Sequence, residues 1–137
     1  MKEITVDATI ENVQTVTDFV DERLEEVNCP MKALMQINIA IDELFSNVAR
    51  YAYSDKTGKI TVSVDTKGKP MKVQLTFVDE GVPYDPLSKE DPDITLAAEE
   101  RKIGGLGIYM VKKTMDDFQY EYKDGKNIVT VCKVIES

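Results

Sequence analysis

Residues 42–53, Asp-Glu-Leu-Phe-Ser-Asn-Val-Ala-Arg-Tyr-Ala-Tyr, end a long segment with a helical apolar period. Its apolar residues, three or four positions apart, are Leu34, Ile37, Ile41, Leu44, Val48 and Ala52. This spacing predicts a helix with one buried stripe. Glu43, Asn47 and Arg50 then share the opposite stripe. Such a stripe is usually a solvated face, but an acid, an amide and a guanidinium one turn apart also form a candidate oxygen-ligand and charge cluster.

Composition limits the classes of function. A length of 137 residues predicts one domain, residues 1–137. With 25 acidic and 17 basic residues the net charge is -8, which argues against nucleic acid and anionic membranes as direct partners. Histidine is absent from the sequence, which removes phosphohistidine chemistry and the commonest zinc ligand from this chain.

The cysteines and the apolar runs indicate the compartment. Cys29 and Cys132 are far apart and lack metal-site spacing, so we expect reduced, buried thiols. The first residues do not resemble a signal or transit peptide, and no apolar run is long enough to span a bilayer. These features predict a cytoplasmic protein.

The remaining periodicity predicts an α+β two-layer sandwich, with three helices on one face of a mostly antiparallel, mixed sheet of about five strands. The predicted elements are a strand at 4–6, a helix over 10–27 capped by Thr9, a helix over 31–52, strands over 60–64 and 71–77, a helix opening at Gly104, and a hairpin of 118–122 and 128–135 around Asp124-Gly125. Residues 83–103 are charged and proline-rich, which predicts a lid with a short helix over 94–100.

Asp79 and Gly81 follow a predicted strand. A carboxylate fixed at that point can accept a hydrogen bond from an exocyclic amine, and a glycine lets the backbone lie close to a flat ring. An isolated Asp-x-Gly is equally typical of an ordinary turn.

A glycine-rich segment, Gly104-Gly105-Leu106-Gly107, opens the third predicted helix. Unobstructed backbone amides at a helix start suit a phosphate, although glycines there can also simply turn the chain. The segment is not a P-loop, because no Lys-Ser or Lys-Thr follows it.

In this order the three motifs resemble the GHKL (Bergerat) ATP-binding fold of histidine kinases, gyrase B and MutL. More narrowly, they resemble the bacterial anti-sigma factor serine/threonine-protein kinases of the RsbW and SpoIIAB type. The matching segments are Asp42-Glu43-x3-Asn47 with 51–53, Asp79-x-Gly81-x-Pro83-Tyr84-Asp85-Pro86, 104–108, Met115-Asp116 followed by Tyr120, and Gly125-x-Asn127. Tyr51 departs from the His that relatives often carry. Pro83 departs from a glycine of the wider fold, but fits the narrower family.

The resemblance implies ATP and Mg2+ as cofactors and a role for each motif. It implies that Asn47 is the Mg2+ ligand, Glu43 orients or deprotonates the attacking hydroxyl, Asp79 reads adenine beside Gly81 and Pro83, Gly104, Gly105, Leu106 and Gly107 cradle phosphate, and Arg101 and Arg50 supply positive charge. It also implies that the phosphoryl acceptor is a serine on a small anti-sigma factor antagonist.

The resemblance further implies a sigma factor held inactive by binding, and a homodimer. Two other classes of function remain open at this point. One is a non-catalytic switch that binds ATP to hold a partner-competent shape. The other is a protein-interaction module that has lost nucleotide binding.

Overall fold

The computed structural model describes residues 1–53, 58–88 and 105–135. The elements in these ranges are strands β1 (Lys2–Asp7), β2 (Lys59–Lys67), β3 (Lys72–Asp79), β4 (Asp117–Lys123) and β5 (Lys126–Val134), and helices α1 (Val13–Glu26), α2 (Met31–Asn47) and α3 (Gly105–Thr114). Each element predicted within these ranges is present. The short helix predicted over 94–100 lies outside the described residues.

The five strands form one sheet in the order β1-β2-β3-β5-β4. All four pairings are antiparallel, so the prediction of a mixed sheet is wrong in that detail. The physical reason is the chain path. β4 takes the far edge, and its hairpin partner β5 returns between β3 and β4. This return places Asn127 directly opposite Asp79.

The core lies between the helices and one face of the sheet. Alternate residues of the central strands are buried there: Ile60, Val62 and Val64 on β2, Val73, Leu75 and Phe77 on β3, and Val129 and Val131 on β5. The predicted stripe of α2 packs on them, with Ile37, Ile41, Leu44 and Ala52 buried and Leu34 and Val48 partly buried. Each large apolar side chain that is fully buried contributes roughly 1.5–3 kcal/mol.

The start of the first helix differs from the prediction. A 3-10 turn over Ile10–Asn12 precedes α1, and the Thr9 side chain makes no capping hydrogen bond. Instead, the Asn12 side-chain amide donates to the Asp7 carbonyl at 2.9 Å and to the Thr9 hydroxyl at 3.3 Å. The short polar side chain that satisfies this turn therefore comes from its last residue.

The second helix does not end as a regular α-helix. Val48–Ala52 form a π-helical turn that continues α2 to the predicted boundary. Asn47 is only 3% exposed, whereas Arg50 is exposed. The interpretation of a solvated polar stripe is therefore wrong for Asn47, since the protein folds over it.

The last hairpin turns where predicted, with both Asp124 and Gly125 at positive φ, as two-residue hairpin loops require. Both cysteines are free, as predicted, but they are half-buried rather than buried. Within the described ranges, no helix combines the length and apolarity needed to span a membrane.

Two isoleucines of α2 test this packing. Ile41 is fully buried and Ile39 is 47% exposed. We expect Ile41→Ala to lower the free energy of unfolding by about 2–5 kcal/mol, because it leaves a cavity in the core. The matched change Ile39→Ala should cost less than about 0.5 kcal/mol. Urea unfolding at constant m-value measures both, and equal losses would contradict this packing.

Candidate functional site

A cavity of about 310 Å³, part of it open to solvent, lies between the end of α2 and the ends of β3 and β5. Apolar side chains of α2, the π turn and β5 form much of its wall, and Asn47, Asp79 and Asn127 contribute polar atoms. An apolar cleft with a few convergent polar groups is typical of small-molecule sites. Two predicted site residues from distant parts of the sequence, Asn47 and Asp79, therefore line the same cavity.

Asp79 is the last residue of β3 and is 4% exposed. Its Oδ1 accepts hydrogen bonds from the Gly81 backbone N–H and from Asn127 Nδ2, both at 2.9 Å. Burial raises the pKa of this carboxyl, and the two hydrogen bonds act in the opposite direction. Among the described residues, Oδ2 has no hydrogen bond, so it is the oxygen available to a ligand.

Close packing against Ala52 requires a glycine at position 81, which the sequence alone did not reveal. A Cβ at this position would collide with the backbone carbonyl of Ala52. The neighbouring Val82 N–H donates to the same carbonyl oxygen at 2.9 Å. Glycine therefore lets the chain leaving β3 dock on the π turn of α2. The predicted approach of Gly81 to a ligand ring remains a prediction.

Asn127 is the site residue to which the sequence analysis gave no role. Its side-chain amide is buried and contacts Asp79, the Val82 carbonyl, the Tyr84 N–H and the Tyr120 hydroxyl. A signal was present in the sequence, because strand alternation puts Asn127 on the same inward face as Val129 and Val131. A polar residue at an inward strand position needs partners.

Aromatic residues hold the segment that follows β3. The rings of Tyr51 and Tyr84 stack with centroids 5.3 Å apart, and Tyr84 lines the cavity. The Tyr53 hydroxyl accepts from the Glu80 N–H at 2.8 Å and donates to the Lys59 carbonyl at 2.7 Å. Burial raises the pKa of Tyr53, which keeps this hydroxyl protonated as the second bond requires. The Tyr51 ring, whose role the resemblance left in doubt, thus supports the wall of the cavity.

Glu43 connects α2 to the glycine-rich helix start. A Cβ at Gly107 would overlap the Glu43 carboxylate, so this side chain lies directly against the first turn of α3. The positive end of a helix dipole favours a carboxylate or a phosphate at that point. The glycine at position 107 therefore leaves the space that Glu43 occupies.

The remaining predicted site residues are not among those that line the cavity in the described part of the chain. Arg50 and Pro83 are exposed and lie outside that lining. The backbone of Gly105 and Leu106 begins α3. Arg101, Gly104 and most of the predicted lid lie outside the described residues.

Asn47 fits the role of a metal ligand. Both polar atoms of its amide are buried without a hydrogen-bond partner in the described ranges. In the same ranges no group of three His, Cys, Asp or Glu side chains could hold a metal alone. Mg2+ commonly takes one or two protein oxygens and completes its shell with phosphates and waters. A neutral oxygen at Asn47 suits that arrangement.

Comparison with known protein families identifies the family of the chain. The family described as histidine kinase-like ATPase domain matches residues 6–133. The chain belongs to this family. A histidine kinase-like ATPase domain is expected to bind ATP.

Curated relatives of this ATPase domain include serine-protein kinases named RsbW. The one from Listeria monocytogenes is 27% identical over 103 residues, which cover 72% of this chain and 64% of that protein. The one from Bacillus cereus is 30% identical over 97 residues, or 68% of this chain and 59% of that protein. The matched region thus spans about three fifths of these relatives.

Solved structures support the fold of the ATPase domain. A crystal structure of RsbU and RsbW domains from Mycobacterium tuberculosis superposes on the whole chain with a TM-score of 0.64, at 16% identity and over 33% of that chain. The histidine kinase domain of a blue-light-activated histidine kinase from Erythrobacter litoralis superposes with a TM-score of 0.52 at 17% identity, over 77% of this chain and 46% of that chain. The predicted three-helix, five-strand architecture is confirmed.

Burial of the Asp79 carboxylate leads to a prediction about how the stability of the nucleotide-free protein depends on pH. Because burial raises the pKa of Asp79, the folded protein binds this proton more tightly than the unfolded chain does. The contribution of Asp79 to the free energy of unfolding therefore falls as the pH rises from 3.8, the ordinary pKa of this carboxyl, through its raised pKa in the folded protein. We expect Asp79→Asn to have the higher Tm without nucleotide at pH 7, with the difference shrinking towards pH 4.

The matched control is Asp42→Asn, the same chemical change at an exposed carboxylate of α2. Differential scanning fluorimetry across pH compares the three proteins. A lower Tm for Asp79→Asn than for the wild type at pH 7 would show that the carboxylate stabilises the empty fold, contrary to this reasoning.

Proposed function

We propose that this domain binds Mg-ATP and phosphorylates a serine on a small anti-sigma factor antagonist, and that it holds a sigma factor inactive by binding it. The observation that carries the proposal is the shared cavity of Asp79 and Asn47, with Glu43 one helical turn away against α3. The relatives named serine-protein kinase support the phosphoryl-transfer part.

At the base end of the site, Asp79 Oδ2 accepts a hydrogen bond from the exocyclic amine of adenine. The apolar side chains of Leu44, Val48 and Val129 line the cavity and would contact the flat ring. A carboxylate is an acceptor only, so it suits an amine and disfavours a carbonyl oxygen at the same place. This arrangement selects adenine over guanine.

At the phosphate end, backbone amides of Gly105 and Gly107 face the phosphates at the positive end of α3. Leu106 adds its amide to the same turn, and Arg101 and Gly104 lie just before it in the sequence. Asn47 would supply an oxygen to Mg2+, and the bound ion would neutralise charge on the phosphates. Arg50 and Pro83 remain predicted contacts at the rim.

In the transfer step, the serine Oγ forms a bond to the γ-phosphorus and the bond from phosphorus to the bridging oxygen of ADP breaks, its electron pair leaving with ADP. Glu43 orients the serine hydroxyl and receives its proton. Positioning and charge neutralisation supply most of the rate increase in such reactions, because the transition state is loose. A carboxylate is a sufficient base, because the hydroxyl proton leaves late in such a transition state.

The proposed protein partners are supported by the net charge of the chain and by the family resemblance. A chain of net charge -8 attracts protein surfaces with basic groups and repels nucleic acid. A sigma factor held away from DNA, an antagonist carrying the acceptor serine, and a second copy of the chain are the partners that the resemblance implies, and the charge argument applies to the first two.

Glu43 is the residue that separates a kinase from an ATP-binding switch. We expect Glu43→Gln to lower transfer of radiolabel from ATP to the antagonist by about 10²–10⁴-fold, because the hydroxyl loses its proton acceptor. The affinity for Mg-ATP, measured by titration calorimetry, should change by less than about threefold. Asp42→Asn, on the adjacent exposed carboxylate, should retain both.

If ATP affinity fell as far as transfer, Glu43 would be a binding residue rather than the base. A wild-type protein that binds ATP but transfers no label would instead favour the non-catalytic switch.

Asn47 provides a separate test of the metal. We expect Asn47→Leu to weaken Mg-ATP about tenfold or more while changing ATP affinity in EDTA by less than about threefold, since only the metal contact is lost. Stability should hold, because an unpaired buried amide is replaced by an apolar side chain of similar size. Asn38→Leu, on a half-buried asparagine of α2 outside the cavity, is the control. Equal losses with and without Mg2+ would remove Asn47 as a metal ligand.

A further inference from the structure

We propose that Asn127 is the positioning residue of the nucleotide site: it holds the Asp79 carboxylate in the one orientation that presents Oδ2 to the amine of adenine. The inference rests on the proposed binding of ATP and adds a residue that acts through Asp79. It is carried by the hydrogen bonds around a buried amide.

The orientation of the Asn127 amide is fixed by two backbone groups. The Tyr84 N–H can only donate, and it lies 3.1 Å from Oδ1. The Val82 carbonyl can only accept, and it lies 2.8 Å from Nδ2. Exchanging the two ends of the amide would place donor against donor and acceptor against acceptor. Nδ2 must therefore face Asp79, to whose Oδ1 it donates at 2.9 Å.

This bond restricts the Asp79 carboxylate. Its Oδ1 receives two donors, Asn127 Nδ2 and the Gly81 N–H. Rotating the carboxylate would break both bonds, and at 4% exposure little water is available to replace them. Oδ2 is thus held as the acceptor that is left for a ligand, and the ligand must bring a donor to it.

Tyr120 completes the arrangement from the neighbouring strand. Its hydroxyl lies 2.5 Å from Asn127 Oδ1 and donates to it. Burial raises the pKa of Tyr120, so the hydroxyl keeps its proton. Oδ1 of Asn127 accepts two bonds, and the two hydrogens of Nδ2 are taken up by Asp79 and the Val82 carbonyl, with the Gly81 carbonyl a longer third acceptor at 3.5 Å. No part of it remains for a nucleotide, so its effect on binding passes through Asp79.

Asparagine is the side chain of this size that offers two donors and two acceptor sites on one rigid plane. Leucine has the same shape and offers neither. Replacing Asn127 with leucine therefore frees the Asp79 carboxylate to rotate and leaves the Tyr84 N–H and the Val82 carbonyl without their side-chain partner. The chain leaving β3 and the carboxylate at its end are held by the same amide.

Selectivity for the amine distinguishes positioning from a general structural role. The probes are Mg-ATP and purine riboside triphosphate, which lacks the 6-amino group, each titrated calorimetrically. We expect the wild type to prefer ATP by about tenfold or more, the gain from one hydrogen bond to a charged acceptor. Asn127→Leu should reduce this preference to about twofold or less, mainly by weakening ATP.

Tyr120→Phe is the milder variant, and it decides the matter if Asn127→Leu does not fold. It leaves the ring in place and removes one hydrogen bond to Asn127 Oδ1. The preference for ATP over purine riboside triphosphate should fall about two- to fivefold. Tyr122→Phe, an exposed residue of the same strand, and Asn38→Leu are the matched controls and should keep the wild-type preference.

Retention of the full preference in both Asn127→Leu and Tyr120→Phe, with the two affinities falling together, would overturn the inference and leave the ATP site intact. A wild-type protein that binds neither nucleotide, or both equally, would overturn the proposed adenine site and the inference with it.

Discussion

Burial of a carboxylate beside an apolar cavity is the constraint on which the site depends. Asp79 is nearly inaccessible to solvent, and a charge in such a place destabilises the fold unless hydrogen bonds compensate for lost water. Two donors, from Gly81 and Asn127, satisfy one of its oxygens. The other oxygen keeps its capacity to bind. In the proposed site, this unsatisfied oxygen lowers folding stability and favours a ligand with a hydrogen-bond donor.

Helix α2 links this carboxylate to the rest of the site. One stripe of the helix anchors it to the sheet, and its far end places Asn47 in the cavity lining and Glu43 against the first turn of α3. The π turn that follows offers the Ala52 carbonyl to the Val82 N–H, which joins the helix to the chain leaving β3. Asp79 and Asn47 are therefore fixed relative to each other through one helix, a rigid support for the two-ended ligand proposed above.

Several features could be predicted from local pattern. The stripe from Ile37 to Ala52 and the alternation of β2 and β3 are local, and the structure confirms both. Two of the errors have different origins. The Thr9 cap is replaced by Asn12, and Asn47 is buried although its helix face looked solvated. Burial of Asn47 depends on segments distant in the sequence, whereas the bonds of Asn12 lie within the same turn as Thr9.

The sequence by itself determined the kinds of element, their order and the motifs that point to ATP, because periodicity and residue chemistry are properties of neighbouring positions. Only the tertiary structure decided that β5 returns beside β3 and puts Asn127 opposite Asp79. It also decided that Gly81 serves the docking of the chain on Ala52. Both depend on strand order and on close contact between distant segments, which no local pattern specifies.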